Sequence, residues 1–163
     1  GGVYGSRVKG NYRRLVHSLA RGRFVGVGDG TNRRTLVYER DVARAAVLAS
    51  KHAAAAGKVF NVTDGEFHTV NEIVDAISHA LGRARRRLSI PVGPARLAAS
   101  VIENLVRFTG RSSPVGRGTI DKLIEDVAVD GSCIKRELGF HPAYDLEQGW
   151  KETIAEMRRL GSL

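Results

Sequence analysis

The chain has 163 residues, 42% of them hydrophobic and 26% charged, and carries a formal net charge of +9 at pH 7. This length and composition suit a single globular domain with a hydrophobic core. No apolar run approaches the roughly 20 residues of a membrane span, and the one cysteine, Cys133, excludes an internal disulfide framework. These features predict a cytoplasmic protein. The net positive charge does not identify a binding partner, because the phosphates of nucleic acids, nucleotides and membranes all attract cations.

The hydrophobic periodicity predicts alternating helices and strands, which is the pattern of an α/β protein. In chain order, the first half contains a helix over 9–21, strands over 24–27 and 35–38, a helix that Asp41 caps and Gly57 ends, and a strand over 58–62. The second half contains a helix over 69–81, a strand that ends at Pro91, a helix over 95–108, a short element over 119–125, a strand-like segment over 127–129, a helix through 134–138 and a last helix from Asp145.

Capping signals and apolar spacing set the expected packing of the helices. Thr69 and Glu72 form a capping box, and Gly82 stands where a left-handed residue ends a helix. Asp145 and Gln148 form a second capping box. In the helix after Asp41, the spacing predicts a buried face made of Val42, Ala46, Ala49 and Ala53. In the helix over 95–108, it predicts a buried face made of Ala98, Val101, Ile102, Leu105 and Val106.

The stretch from Gly28 to Ala45 holds the densest group of informative residues. A Gly28-Asp29-Gly30 turn precedes the adjacent Arg33 and Arg34, a short apolar strand and then Asp41. Taken singly, the glycines have a plain explanation as a tight turn and the arginines as surface charge. Strand alternation predicts that Arg33 and Arg34 project from opposite faces.

The order of these pieces resembles the C-terminal half of the extended short-chain dehydrogenase/reductases, the NAD-dependent nucleotide-sugar epimerases and dehydratases of the UDP-glucose 4-epimerase type. That family carries Gly-Asp-Gly, then Arg, then Tyr-Val-x-Asp-x-Ala, and this chain has Gly28-Asp29-Gly30, Arg34 and the segment 37–43 in the same order. Further segments similar to the family are VYG at 3–5, NVTDGEFHTVNEIVDAI at 61–77 and KRELGFHPAYDLEQGWKET at 135–153.

The resemblance implies a fold and a binding site. Residues 1–163 would form the C-terminal substrate-binding part of an extended Rossmann-type enzyme, with 58–62 as its last sheet strand and the N-terminal nucleotide-binding half absent. Arg34 would contact the pyrophosphate of a UDP- or dTDP-sugar, since a guanidinium offers a fixed fork of donors to phosphate oxygens. The remaining implied site residues are Asn11 near the phosphates, Val27 against the base where many relatives carry Tyr or Phe, and Arg117 with Asp121 for phosphate and ribose.

Two of these assignments have equally simple structural explanations. Asn11 is also a polar residue in the first turns of a helix, and Asp121 is also a first-turn acid favoured by the helix dipole. The family's Arg-x-x-Asp element is spaced Arg-x-x-x-Asp here.

The resemblance also implies NAD as the cofactor of the full-length enzyme and a Tyr-x-x-x-Lys pair for proton transfer. Neither the Gly-x-x-Gly-x-x-Gly turn nor that pair occurs: Val8, Val16, Val42 and Gln148 stand four residues after the four tyrosines. We therefore assign no catalytic or metal residue and expect this chain alone to be inactive in hydride transfer. Its expected partners are a nucleotide sugar, the missing N-terminal half and a second copy in a homodimer.

Two alternatives stay open. The chain could be a stand-alone basic module that binds nucleic acid or another polyanion, although aromatic residues make up only 6% and no base-stacking motif is present. It could also be part of an extended reductase that acts on a non-nucleotide ketone or steroid. The basic run at 83–87 is predicted to be a solvated loop.

Overall fold

The computed structural model describes residues 2–84, 88–108 and 125–163, and for 101–108 it describes the backbone alone. Its helices are α1 (Gly10–Ala20), α2 (Glu39–Lys51), α3 (Val70–Leu81), α4 (Val92–Phe108), α5 (Ser132–Leu138) and α6 (Leu146–Arg159). Its strands are β1 (Gly2–Tyr4), β2 (Gly26–Val27), β3 (Arg33–Arg34), β4 (Leu36–Tyr38), β5 (His68–Thr69) and β6 (Ser89–Ile90). The predicted α/β class is confirmed.

The strands form three pairs, and each pair joins segments that are distant in the sequence. β1 runs parallel to β4 with Tyr4 opposite Tyr38, and β2 runs parallel to β6. β3 runs antiparallel to β5, with Arg34 opposite His68. β2 and β3 flank the Gly28–Gly30 turn without pairing to each other, so the turn separates two sheets instead of closing a hairpin.

The main core lies where α3 and α6 pack beside the β1–β4 pair. Trp150 is fully buried and stacks on Tyr4 with ring centroids 4.5 Å apart, and Tyr4 contacts Tyr38 at 5.7 Å. A Cβ atom at Gly149 would overlap the Tyr4 hydroxyl. The glycine of the Leu-Glu-x-Gly segment is therefore required by packing against an aromatic ring.

Both capped helices begin where the sequence predicts. The Thr69 hydroxyl accepts a hydrogen bond from the Glu72 N–H, and the Glu72 carboxylate accepts one from the Thr69 N–H at 2.7 Å, which confirms the capping box. Gly82 adopts φ 71° at the end of α3. At the start of α6, the Asp145 carboxylate accepts from the Gln148 N–H at 2.8 Å, but among the described residues no reciprocal hydrogen bond from the Gln148 side chain forms, so the second capping box is only half present.

The prediction for α2 is wrong in three respects: its cap, its buried face and its end. Asp41 does not cap the helix, which begins at Glu39; instead it is fully buried, and its carboxylate accepts from the N–H groups of Ala143 and Tyr144. The face that packs inward is consequently centred on Asp41 and Ala45, while Ala46 and Ala53 are exposed. The helix ends at Lys51, ahead of a short 3₁₀ turn and Gly57.

Two further predictions need correction. α4 begins at Val92 because Pro94 is tolerated in a first helical turn, and it buries Ala95 and Ala99 while Ala98 is exposed. The other predicted inward residues of α4 lie outside the described side chains. No strand forms over 58–62, where Val59 is 93% exposed. A strand needs a hydrogen-bonded neighbour, and within the described residues β4 pairs with β1 alone.

Candidate functional site

A cleft of about 1070 Å³ lies between α1, the 24–35 segment, the start of α3 and β6. Asn11, Val27 and Arg34 all line it, so the structure brings together three of the five predicted site residues. Arg117 and Asp121 lie outside the described residues. The cleft is thus assembled from segments that are up to 125 positions apart, because Glu125 and Val127 line it together with Gly2.

Arg34 enters the cleft from a backbone that is held on both sides. β5 pairs with one side of β3, and Val127 lies against the other, donating its N–H to the Arg33 carbonyl at 2.9 Å. The Arg33 N–H donates to the Asp126 carboxylate at 2.5 Å. Arg33 is exposed and Arg34 half-buried, in agreement with strand alternation. A guanidinium carried on such a strand loses less conformational freedom when it binds a ligand.

The Gly28–Gly30 turn is locked onto the start of α3. Gly28 and Gly30 adopt φ 75° and 69°, and the Asn71 amide donates to the Asp29 carbonyl at 2.7 Å. The Asp29 carboxylate accepts from the N–H and hydroxyl of Thr31, and these hydrogen bonds hold the pKa of Asp29 below its usual value. A Cβ atom at Gly30 would overlap the Asn71 amide. The turn therefore needs glycine both for its backbone conformation and for this close approach.

Sequence reasoning missed several residues that line the cleft, among them Tyr12, Arg14 and Asn71. The sequence could have predicted Arg14, because it follows Asn11 by three positions on α1 and therefore lies on the same helix face. Tyr12 gives only an apolar signal in the sequence of α1. Asn71 carries no signal in the sequence, because its role depends on the docking of a turn 41 residues upstream.

Tyr12 places a neutral hydroxyl in the cleft. Burial raises the pKa of Tyr12, and the nearby Arg34 guanidinium opposes that shift without reversing it. The phenol therefore stays protonated at neutral pH and can donate a hydrogen bond to an anionic ligand.

The positive charge in the cleft comes from side chains, with no contribution from the start of α3. Its first N–H groups are already used: Val70 donates to the Asn32 carbonyl, Asn71 to the Gly30 carbonyl and Glu72 to the Thr69 hydroxyl. Among the described lining residues the cations are Arg14 and Arg34, and the carboxylates are Asp29, Asp75 and Glu125. Anion binding would thus depend on where the guanidinium groups lie, since the described lining residues have no net excess of cations.

An ion pair between His68 and Asp64 lies across the β3–β5 pair from Arg34. The His68 Nε2 and Asp64 Oδ2 atoms are 2.7 Å apart, and both side chains are largely buried. Burial alone would lower the pKa of His68, but the hydrogen bond and negative charge of Asp64 outweigh it and raise the pKa. This pair supports the strand from which Arg34 projects.

Comparison with known proteins relates the first part of the chain to a family. Residues 2–63 match the sequence model of the NAD dependent epimerase/dehydratase family. The resemblance inferred from the Gly-Asp-Gly, Arg and Tyr-x-x-Asp order is thereby confirmed.

Relatives and solved structures extend the similarity along the chain. The chain is 25% identical over 152 residues to the N-acetyl-alpha-D-glucosaminyl-diphospho-ditrans,octacis-undecaprenol 4-epimerase of Escherichia coli O157:H7, covering 93% of this chain and 46% of that protein. It is 30% identical over 152 residues to a UDP-glucose 4-epimerase of Vibrio cholerae, covering 93% and 43%. The UDP-glucose 4-epimerase of Thermotoga maritima, solved with UDP-glucose, shares the fold with a TM-score of 0.67 and 23% identity, covering 98% and 44%. The chain spans less than half the length of these relatives.

The Gly28–Gly30 turn in the cleft is not of the type that binds the pyrophosphate of a dinucleotide cofactor. Such a turn joins a strand to a helix whose N-terminus faces the phosphates, whereas the Gly28–Gly30 turn leads into β3. We assign no cofactor-binding residue to the described parts of the chain. Those parts also contain no group of three metal-ligating side chains and no helix long and apolar enough to cross a membrane.

Proposed function

We propose that this chain is the substrate-binding part of an NAD-dependent nucleotide-sugar epimerase/dehydratase, and that its cleft binds the pyrophosphate of a UDP- or dTDP-sugar. The observation that carries the proposal is the placement of Arg34, on a strand held from both sides, in one cleft with Asn11. The family match over residues 2–63 supports it.

The proposal assigns a role to each predicted site residue and to Tyr12. The Arg34 fork pairs with two phosphate oxygens, and the Asn11 amide and Tyr12 hydroxyl donate to the remaining ones. Val27 gives the base an apolar contact without the stacking that an aromatic ring would add. Arg117 and Asp121 remain proposed contacts to the phosphate and ribose. The chain binds and orients substrate, while hydride transfer requires groups that it does not carry.

The partners follow from this division of labour. The proposed enzyme unites this chain with a nucleotide-binding half of the family type, which would supply NAD and the Tyr-x-x-x-Lys pair. A homodimer of the complete enzyme remains part of the proposal.

Calorimetric titration with UDP-glucose, UDP and uridine tests the role of Arg34. Arg34→Ala should weaken UDP and UDP-glucose by about 1.5–3 kcal/mol, the scale of one hydrogen-bonded charge, which is roughly 10- to 150-fold. Uridine affinity should stay unchanged, because uridine has no phosphate. Arg33→Ala removes the same charge one residue away on the exposed side, and it should alter affinity less than twofold.

Other outcomes would assign the cleft differently. Equal affinity of Arg34→Ala and the native chain for UDP would remove Arg34 from the site. Binding of a ketone or steroid that survives Arg34→Ala would favour a reductase with a non-nucleotide substrate. Tight binding of nucleic acid with a steep loss at raised salt, and none of UDP, would favour the basic module.

A further inference from the structure

The positive charge of the chain is concentrated in its first 28 residues. This stretch contains no Asp or Glu, and its six cations are Arg7, Lys9, Arg13, Arg14, Arg21 and Arg23. It therefore accounts for six of the nine net positive charges in one sixth of the sequence. Such a block points to an anionic partner more strongly than the overall net charge does.

The structure gathers four of these cations on the outer side of α1. Arg13, Arg14, Arg21 and Arg23 surround a surface cavity of about 570 Å³ together with His17, and we call this set the basic groove. The opposite side of α1 buries Val16 and Leu19, so the helix is held in place while all four arginines stay exposed. In the described part of the chain, no carboxylate forms an ion pair with any of the four.

Exposed aliphatic side chains lie next to the basic groove. Val25, Leu88 and Ile90 are 45%, 57% and 44% exposed. They lie along or directly before the β2–β6 pair, where the Gly26 N–H donates to the Leu88 carbonyl at 2.8 Å. Val25 follows Arg23 by two residues, and Val25 and Leu88 line the substrate cleft with Arg14. The face therefore combines exposed arginines with an aliphatic edge at the mouth of the cleft.

We propose that this face docks on an anionic membrane surface. The arginines of the basic groove would lie against the lipid phosphates, and the aliphatic edge would enter the boundary between headgroups and acyl chains. A nucleic acid fits this face less well, because single strands are bound by stacking on aromatic rings and the edge here is aliphatic. Docking in this orientation would hold the mouth of the cleft close to the lipid surface.

Co-sedimentation of the 163-residue chain with vesicles tests this without any sugar ligand, so its outcome is independent of the proposed function. Vesicles of 30% phosphatidylglycerol in phosphatidylcholine are compared with vesicles of phosphatidylcholine alone. Arg13→Gln/Arg21→Gln/Arg23→Gln leaves Arg14 of the cleft intact and should weaken binding to anionic vesicles roughly 100-fold, at about fivefold for each cation. The matched control Lys51→Gln/Lys135→Gln/Lys151→Gln removes the same charge from exposed positions elsewhere and should cost less than threefold.

The aliphatic edge is tested by Ile90→Ser, which lies outside the lining of the cleft. It should reduce vesicle binding severalfold and abolish the part that persists at 0.5 M salt, with folding checked by circular dichroism.

Three results would overturn the proposal: equal losses in the two triple variants, displacement from vesicles by millimolar inorganic pyrophosphate, or DNA binding as tight as vesicle binding and insensitive to Ile90→Ser. They would indicate, respectively, non-specific charge attraction, a small-anion site and a nucleic-acid face.

Discussion

The aromatic core and the loops around the cleft are stabilised by different kinds of interaction. Beside the β1–β4 pair, Tyr4, Tyr38 and Trp150 are almost completely excluded from solvent and contact one another through their rings. Around the cleft, β2, β3, β5 and β6 are each two residues long, and side chains bonded to the backbone, such as Asn71 to the Asp29 carbonyl, fix the loops between them.

This difference separates stability from binding. Burial of apolar surface is the main favourable contribution to folding, and large aromatic side chains bury the most surface each, whereas individual hydrogen bonds contribute about 0.5–1.5 kcal/mol each. Substitutions in the aromatic core should therefore lower the free energy of unfolding, and substitutions in the turn should lower affinity for UDP. Three variants test that separation.

The largest expected effect on stability is in the core. Gly149→Ala puts a methyl group into the space of the Tyr4 hydroxyl, which cannot move away because the ring is stacked on Trp150. Overpacking of this kind should reduce the free energy of unfolding by about 1–3 kcal/mol, measured by urea denaturation. UDP affinity of the folded protein should be unchanged.

Two controls sharpen this result. Adding Tyr4→Phe removes the overlapping hydroxyl and should restore part of the lost stability. Gly93→Ala, in α4, meets no atom within 4 Å and should be neutral or stabilising by up to about 1 kcal/mol, since alanine favours a helix over glycine. Equal losses from Gly93→Ala and Gly149→Ala would contradict the packing explanation.

The next variant concerns the turn. Gly30→Ala meets both a positive φ of 69° and the Asn71 amide. The left-handed conformation should cost about 1–2 kcal/mol of stability, and displacement of Asn71 should weaken UDP binding as well. Gly57→Ala has φ 72° and open space around it, so it should show the conformational cost with unchanged UDP affinity. If both variants lose affinity equally, the turn does not shape the site.

The smallest effect is a dependence of stability on pH. The pKa of His68 is raised in the folded protein, so its protonated form favours folding. This contribution is fully present below the unfolded value of about 6.5 and is lost as pH rises through the folded pKa. His68→Asn should therefore lower the melting temperature more at pH 5.5 than at pH 8.5. His79→Asn removes an exposed histidine 3.3 Å from Glu147 and should show little effect at either pH.

Local signals in the sequence predicted the parts of the fold that depend on neighbouring residues. The capping box of Thr69 and Glu72 and the left-handed Gly82 are each decided within one helix. The face of α2 was not predictable, because Asp41 is buried by bonds to Ala143 and Tyr144, about a hundred residues away. Apolar spacing cannot identify a buried carboxylate.

The same limit explains what the sequence predicted of the site. The Gly-Asp-Gly, Arg order led to Arg34, and the alternation of a strand separated it from Arg33. Asn71 and Tyr12 join the cleft only through tertiary packing, and two-residue strands form only where a distant partner is available. The sequence therefore predicted one cation that lines the cleft and left most of the other lining residues to the structure.

The most direct test of the proposed site is an amide-resolved NMR titration of the ¹⁵N-labelled chain with UDP. The account predicts saturable shifts concentrated at Asn11, Arg34 and Asn71, and almost none in the separate apolar cluster of Ala45, Ile134, Leu138 and Phe140. Shifts concentrated instead at Arg13, Arg21 and Arg23, or the absence of saturable shifts, would contradict the assignment of the cleft as a nucleotide-sugar site.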